Sequence, residues 1–358
     1  MSTTPLRQLT GAAAGRRRRG PGIQGRNGIA GWLFIAPVIV LLGLFLVIPI
    51  FMAAWVSVSN WNGLGSPFSS NVQFVGMENY SALLADPGLA QTDFGISLRN
   101  NAWYVLLVVP IQTAISLFLA VLMNQRVLAA RGAYRTAFYF PSVTSSVAIT
   151  VIFLFLFSAD GTINSIISGL GGTGPGWFTD PRGVLQIGME SLGIQDPGGG
   201  FLGLSWFDWL AGPSPAMLVF IIMAIFTTSG TFMLIFLSAL QQIAHEIEEA
   251  TIMDGANAWQ RFWHVTFPML RPTVFTVMTF GVIGSWQIFD QIYVGTKGGP
   301  AKSTLTPAYL SYSESFIGNA WGQGAAIAFI LFGIIVIFTV GQRFFLVRGE
   351  RTPRRKSS

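Results

Sequence analysis

The chain has 358 residues, of which 51% are apolar and 10% charged, with a formal net charge of +6 and a mean hydropathy of +0.56. A soluble domain of this size carries about a quarter of its residues as Asp, Glu, Lys or Arg, so the composition describes a membrane-embedded chain rather than a cytosolic enzyme, and it is too apolar for disorder over most of its length. With no cysteine there is neither a disulfide framework nor a thiolate metal site, and the redox compartment stays undetermined.

A basic run, Arg16 to Arg19, precedes the first apolar stretch, and Arg348, Arg351, Arg354, Arg355 and Lys356 follow the last. Basic runs that flank apolar segments hold a chain against an anionic membrane face, so the positive charge implies membrane lipid and not nucleic acid as its partner. The first apolar stretch is too long for the core of a cleaved signal peptide and has no small-residue cleavage site after it, so it is expected to stay in the membrane. A bilayer core about 30 Å thick needs roughly 20 apolar residues in a helix, which meets its own backbone hydrogen bonds. Six segments qualify, at about 32–56, 101–123, 137–157, 216–240, 272–294 and 324–345. The expected fold class is therefore all-α, a polytopic membrane protein with six transmembrane helices. Counting Lys and Arg in alternate connections puts 17 of the 21 on the side of the N-terminus and only Arg99, Arg182, Lys297 and Lys302 opposite, so both termini are expected in the cytoplasm.

Two long outer connections result, about 57–100 and 158–215. The second holds helix-breaking runs, Gly171 to Gly176 and Pro197 to Gly200, and is read as a loop with short elements rather than a seventh span. Two similar phrases lie in it, beginning at Gly176-Trp177-Phe178 and Ser205-Trp206-Phe207.

The cytoplasmic connection 241–271 is longer than a simple turn and acidic in its first half. Ile243, Ile247 and Ala250 share one helical face beside an acidic stripe of Glu246 and Glu249, and Gly255 can take the left-handed geometry that ends such a helix. Trp259, Phe262 and Trp263 anchor a second short amphipathic element, whose junction with the fifth span is set by Pro268 and Pro272. The pattern reads as helix, glycine turn and helix at the membrane surface, which by itself suits a plain interfacial element as well as a partner site.

In the fifth span Ile283, Gln287, Asp290 and Val294 are expected on one helical face, with Trp286 beside it. An intramembrane carboxylate is costly unless it faces partners or water, and an aromatic, an amide and a carboxylate together suit a sugar. Trp286, Gln287 and Asp290 are thus candidate path residues; the alternative places Asp290 at the outer interface with Trp286 as a belt aromatic. Thr227, Thr228 and Ser229 of the fourth span could equally be packing residues.

Catalytic residues are not found. Gly295 to Ser303 only approaches a phosphate-binding loop, since Ala301 stands where the glycine before lysine is needed. His245 and His264 have no third ligand at metal spacing and read as surface histidines beside a partner. The outer acidic residues form no pair suited to glycoside hydrolysis.

Glu249-Ala250, Asp254-Gly255-Ala256, Phe267-Pro268 and Pro272 together resemble the EAA loop of permease subunits of ATP-binding-cassette (ABC) importers, in the carbohydrate-uptake branch. The chain departs from that pattern at Ala244 (commonly proline), Thr251 (the second alanine) and Phe267 (leucine), keeping the acidic residue, the glycine and the proline. The likeness extends over about 30–346: Trp32-Leu33-Phe34 with Ala36-Pro37, Phe74-Val75-Gly76 with Asn79-Tyr80, Arg99-Asn100, and Arg135-Thr136 with Pro141. Thr296 to Pro300 and Trp321 to Ala326 are similar to the first of the paired permeases in maltose- and glycerol-phosphate-type importers.

The resemblance implies the ABC type I importer permease fold, with a permease domain at 31–346 between basic tails 1–30 and 347–358. It implies a binding-protein-dependent, ATP-driven transport subunit of the bacterial inner membrane, not an enzyme, carrying a sugar or related polyol. The implied partners are a second permease, two ATPase subunits holding ATP and Mg, and an extracytoplasmic solute-binding protein; this chain itself holds no cofactor and no metal. Glu246, Glu249, Ala250, Asp254, Gly255 and Ala256 would form the coupling contact with the ATPase. The reading in competition is an ATP-independent secondary transporter or channel.

Overall fold

The computed structural model describes residues 28–347 apart from 126–129, 195 and 197. The basic runs at both ends, Arg126 and Pro197 lie outside the described residues. The chain divides after Met52 into two compact units.

The first unit holds α1 (Gly28–Leu42), a π-turn at Gly43–Val47 and the start of α2 (Ile48–Ser57). Almost every side chain from Trp32 to Val47 is apolar and exposed, the condition of a helix whose solvent is lipid.

In the second unit α3 (Glu78–Leu84) leads to the long α4 (Leu89–Asn124), then α5 (Arg131–Val143) and α6 (Ser146–Leu156). The outer connection that follows is indeed built of short pieces: α7 (Thr162–Gly169), α8 (Val184–Ser191), a two-residue hairpin of β1 (Gly200–Phe201) and β2 (Leu204–Ser205), and α9 (Trp206–Leu210). α10 (Pro215–Leu240), α11 (His245–Met253), α12 (Ala258–Arg261), α13 (Phe267–Trp286), α14 (Asp290–Gly295), α15 (Pro307–Tyr312) and α16 (Trp321–Val347) follow among the described residues. Among the described residues five helical stretches are long and apolar enough to cross a membrane, and six if the bent pair α5 and α6 counts as one span.

The outer connection is fastened by its hairpin. Leu202, at left-handed φ, buries its side chain against Gly95 of α4, where a Cβ would overlap the Leu202 carbonyl oxygen. Trp103 donates its indole N–H to the Trp209 carbonyl at 3.0 Å, and Ser205 and Asp208 form a capping box that starts α9. The two tryptophan phrases are not equivalent: Trp177 packs edge-on against Phe157, whereas Trp206 begins a helix.

The core lies between α4, α10 and α13, with small and hydroxyl residues at the crossings. Without a hydrophobic force between helices in lipid, such residues let backbones approach and bond. Ser116 Oγ donates to the Ser229 carbonyl at 3.1 Å, and at Gly230 a Cβ would overlap the α5 backbone at Phe138 and Tyr139. Gly230→Ala is therefore expected to destabilise by about 1–3 kcal/mol, the usual cost of overpacking. Gly333→Ala in α16, where an added Cβ meets nothing, is expected to be neutral or slightly favourable. Thermal midpoints of the detergent-solubilised variants followed by size exclusion check both.

Candidate functional site

Two features stand out, a helix left largely exposed by the described residues and a pair of cavities at two broken helices. α11 begins at Ala244, which offers no side-chain cap, and ends in a left-handed turn. There Gly255 takes φ +77°, Gly255 N–H reaches the Ile252 carbonyl at 3.0 Å and Ala256 N–H the Thr251 carbonyl at 3.1 Å. Along the helix only Thr251 is half-buried; Glu246, Glu249, Ala250, Asp254 and Gly255 are exposed, with Ala256 half-buried in the turn. All six sequence candidates thus lie on one outward helix and its turn. His245 sits between two carboxylates, 3.6 Å from Glu248 and 3.4 Å from Glu249.

The second surface helix expected after the glycine is not separate. Asn257 and Gln260 cap α12 reciprocally, and α12 then runs through a π-turn at Phe262–Thr266 straight into α13. The π-turn has a physical cause in Pro268, whose ring would press on the carbonyl of His264 four residues earlier and which lacks the N–H to bond it. Pro272 lies within α13 without ending it. Trp263 packs at 5.1 Å from both Phe262 and Phe267 and stiffens the bulge.

The fifth span is broken at Gln287, Ile288 and Phe289, between α13 and α14. Ile283, Gln287, Asp290 and Val294 therefore do not lie on one unbroken helix, as the periodic reading assumed. The break stands because buried donors take the freed carbonyls, as apolar surroundings require. Asn101 Nδ2 donates to the Trp286 carbonyl at 3.1 Å, and Thr306 Oγ1 donates to the Ile288 carbonyl at 3.1 Å. Gln287 and Asp290 line a cavity of about 320 Å³ together with Gln112, Thr227, Thr228 and Phe289. Trp286 does not; it is 2% exposed and packs against Phe338 with ring centroids 5.5 Å apart.

The third segment is broken as well. α5 and α6 meet at 94° across Thr144 and Ser145, and the first residue of α6, Ser146, donates its hydroxyl to Asp290 Oδ2 at 3.2 Å. A second cavity of about 270 Å³ at this bend shares Thr227, Thr228, Phe232 and Gln291 with the first. Thr227 and Thr228 thus face cavities from both sides. Thr228 Oγ1 lies 2.6 Å from Gln112 Oε1, while Gln112 Nε2 is buried without a partner and aimed at the place where a Cβ on Gly281 would stand. Gln112 and the bend were not singled out from the sequence; an amide inside an otherwise apolar span and the run Thr144-Ser145-Ser146 were the available signals.

The Arg99-Asn100 phrase anchors the connection after α14. Asn100 Nδ2 donates to the carbonyls of Lys302 and Leu305 at 2.9 and 3.0 Å, Arg99 donates to Asn100 Oδ1, and Lys302 Nζ pairs with Asp93 at 2.6 Å. The glycine-rich stretch resembling a phosphate loop is therefore a folded turn with its lysine engaged. Nearby, burial holds the Glu314 carboxyl above the usual carboxylate range, with the Asp93 charge adding to that and Lys302 opposing it. Among the described residues no three His, Asp or Glu side chains are grouped to hold a metal.

The sequence was compared with known families and proteins, and the fold with solved structures. Residues 112–348 match the family described as "Binding-protein-dependent transport system inner membrane component". The chain is 30% identical to a probable ABC transporter permease protein of Pyrococcus horikoshii, over 89% of this chain and 96% of that one. It is also 30% identical to the lactose transport system permease protein LacF of Rhizobium radiobacter, over 90% of this chain and 95% of LacF. The fold superposes with a TM-score of 0.68 on a bacterial alginate ABC transporter crystallised with an alginate pentasaccharide-bound periplasmic protein, at 16% identity, covering 90% of this chain and 96% of that one.

Proposed function

Since this chain belongs to the family of binding-protein-dependent transport system inner membrane components, and is thus an ABC importer permease, we propose that it forms half of a sugar pathway driven through α11. The permease domain spans 31–346 between basic tails 1–30 and 347–358, with both termini cytoplasmic in a bacterial inner membrane. A second permease completes the path, two ATPase subunits hydrolyse ATP with Mg on their own chains, and an extracytoplasmic binding protein delivers the solute. The solute is a sugar or related polyol, a reading supported by the lactose permease among the relatives.

The observation that carries the proposal is α11: a nine-residue helix, exposed along nearly its whole length and bearing Glu246, Glu249, Ala250 and, in its turn, Asp254, Gly255 and Ala256. A short rigid helix held out on both sides by spans is suited to sit in a cleft of a partner and move the bundle as a body. Glu249 can pair there with a basic group, and Gly255 lets a backbone come close. Of the path candidates, Gln287 and Asp290 offer hydrogen bonds at the cavity, whereas Trp286 supports the α13 end from behind.

Affinity purification of the tagged chain from its native membrane in mild detergent, with mass spectrometry of what comes with it, tests the assembly. A second multi-span permease and a Walker-type ATPase are expected in the eluate. Recovery of the chain alone, active for flux without ATP, would overturn the proposal.

A further inference from the structure

A file of aromatic rings runs from the turn after α2 to the cavity at the break in the fifth span. Trp61 lies 5.1 Å from Trp321, Trp321 4.6 Å from Phe316, Phe316 stacks on Tyr312 at 5.0 Å, and Tyr312 meets Phe289 at 5.3 Å, all between ring centroids. Tyr293 closes the inner end, 5.3 Å from Tyr312 and stacked on Phe289 at 5.5 Å. Phe289 belongs both to this file and to the wall of the larger cavity beside Gln287 and Asp290. Phe316 is 59% and Tyr293 41% exposed, and Trp61, Trp321, Tyr312 and Phe289 are half-buried.

The outer end is built to hold its rings. Gly63, at φ +86°, leaves the space that Trp321 occupies, since a Cβ there would overlap the indole. Asn79 Nδ2 donates to the carbonyls of Ser57 and Ser59 at 3.0 Å each, and Tyr80 donates to Ser57 Oγ at 2.9 Å, fixing the turn that carries Trp61. Gly322 approaches the same Ser59 carbonyl. Belt aromatics at a membrane interface are spread around a bundle at one depth; these touch one another in sequence and end at a polar cavity.

We propose that this file is a carbohydrate track, on which the apolar faces of sugar rings stack and step from the outer turn to the cavity at Phe289. Sugar rings have a C–H face and an edge of hydroxyls, so an aromatic row with tyrosine hydroxyls binds each ring weakly and similarly, which favours passage over capture. The inference rests on the sugar reading above and adds the route by which a ring reaches the cavity.

The absence of cysteine in this chain makes the test direct. Phe316→Cys and Tyr293→Cys are each expressed with the partner subunits in membrane vesicles and treated with a charged, membrane-impermeant methanethiosulfonate, the modified peptide being quantified by mass spectrometry. The sugar probe is whichever of lactose, maltotriose and alginate pentasaccharide the unsubstituted complex imports. Both positions are expected to react, to react at least fivefold more slowly under saturating sugar, and to lose at least tenfold in uptake once modified. Phe316→Leu is expected to raise the half-saturating sugar concentration about tenfold with ATP hydrolysis intact, and Phe316→Trp to restore it. Failure of the thiols to react, which means lipid or a partner subunit covers them, or reaction without protection, would overturn the track while leaving import of the probe as proof of the sugar reading. If the complex imports none of the three sugars, the sugar reading falls and the track with it.

Discussion

Gly255→Asp and Glu249→Lys are each expected to cut uptake by roughly 100-fold in the assembled transporter while the chain still inserts and folds. Nothing lies within reach of a Cβ on Gly255, and Glu249 is exposed, with His245 at 3.4 Å as its neighbour. The cost to the chain itself is therefore confined to the left-handed backbone at Gly255, about 1–2 kcal/mol for an ordinary residue. That frays one turn and leaves the spans alone. Aspartate adds to that penalty a charge next to Asp254 and bulk where a partner backbone would approach; lysine reverses the charge offered by the helix. Gly255→Asn, which tolerates the same conformation without charge, should retain more uptake than Gly255→Asp. The measurement is uptake and ATP hydrolysis in the same vesicles, with membrane abundance as control. Hydrolysis surviving while uptake is lost identifies uncoupling, and normal uptake in both variants would remove α11 from the mechanism.

The second large effect is expected at Asn101. This side chain is fully buried and its amide is the donor that meets the Trp286 carbonyl where α13 stops. Asn101→Leu leaves that carbonyl without a partner in apolar surroundings, costing about 1–3 kcal/mol. Asn101→Asp is worse, because it sets an acceptor against an acceptor and brings a charge into the core. The expected readouts are a lowered thermal midpoint of the purified complex and a loss of uptake in the order Asp, then Leu. Thr306→Val frees the Ile288 carbonyl and also removes the hydroxyl that caps α15 at the Tyr309 N–H, so it should fall short of Asn101→Asp, which buries a charge, and come near Asn101→Leu. If Asn101→Leu matches the unsubstituted protein in both readouts, the break does not depend on this bond.

The spans were legible because hydropathy needs only a count, and α11 because a helical period, an acidic stripe and a glycine stop coincide within a dozen residues. The breaks were not legible. Neither Gln287 to Phe289 nor Thr144-Ser145 contains a proline or glycine, and the partners at each lie far along the chain, Asn101 and Thr306 as donors in one case and Asp290 as the acceptor for Ser146 in the other. Periodicity assumes that the helix continues, so it put Gln287 and Asp290 on one unbroken helix when a turn separates them, though both line the same cavity. The same long-range dependence hides the role of Trp286: aromatic type suggests a surface, and only its packing among Val105, Val109, Leu331 and Ile335 makes it core. The π-turn before Pro268 was half-legible, since two prolines signalled a disturbance that the local geometry absorbed instead of stopping the helix.

The right-angle bend between α5 and α6 gives the two parts of one segment different allegiances. α5 lies along α10, locked at Gly230, and α6 lies along α14, linked through Ser146 and Asp290. α6 also touches α10, at Thr150 with Met223 and at Phe153 with Phe226, but α5 packs along more of it, so a displacement applied at α11 and passed along α10 would move α5 most and reach α6 through these contacts and the Thr144-Ser145 joint. The cavities sit on the seam between these two groups of helices. Folding at such joints, where the regular helical ladder is already interrupted, would change the aperture without unwinding a span.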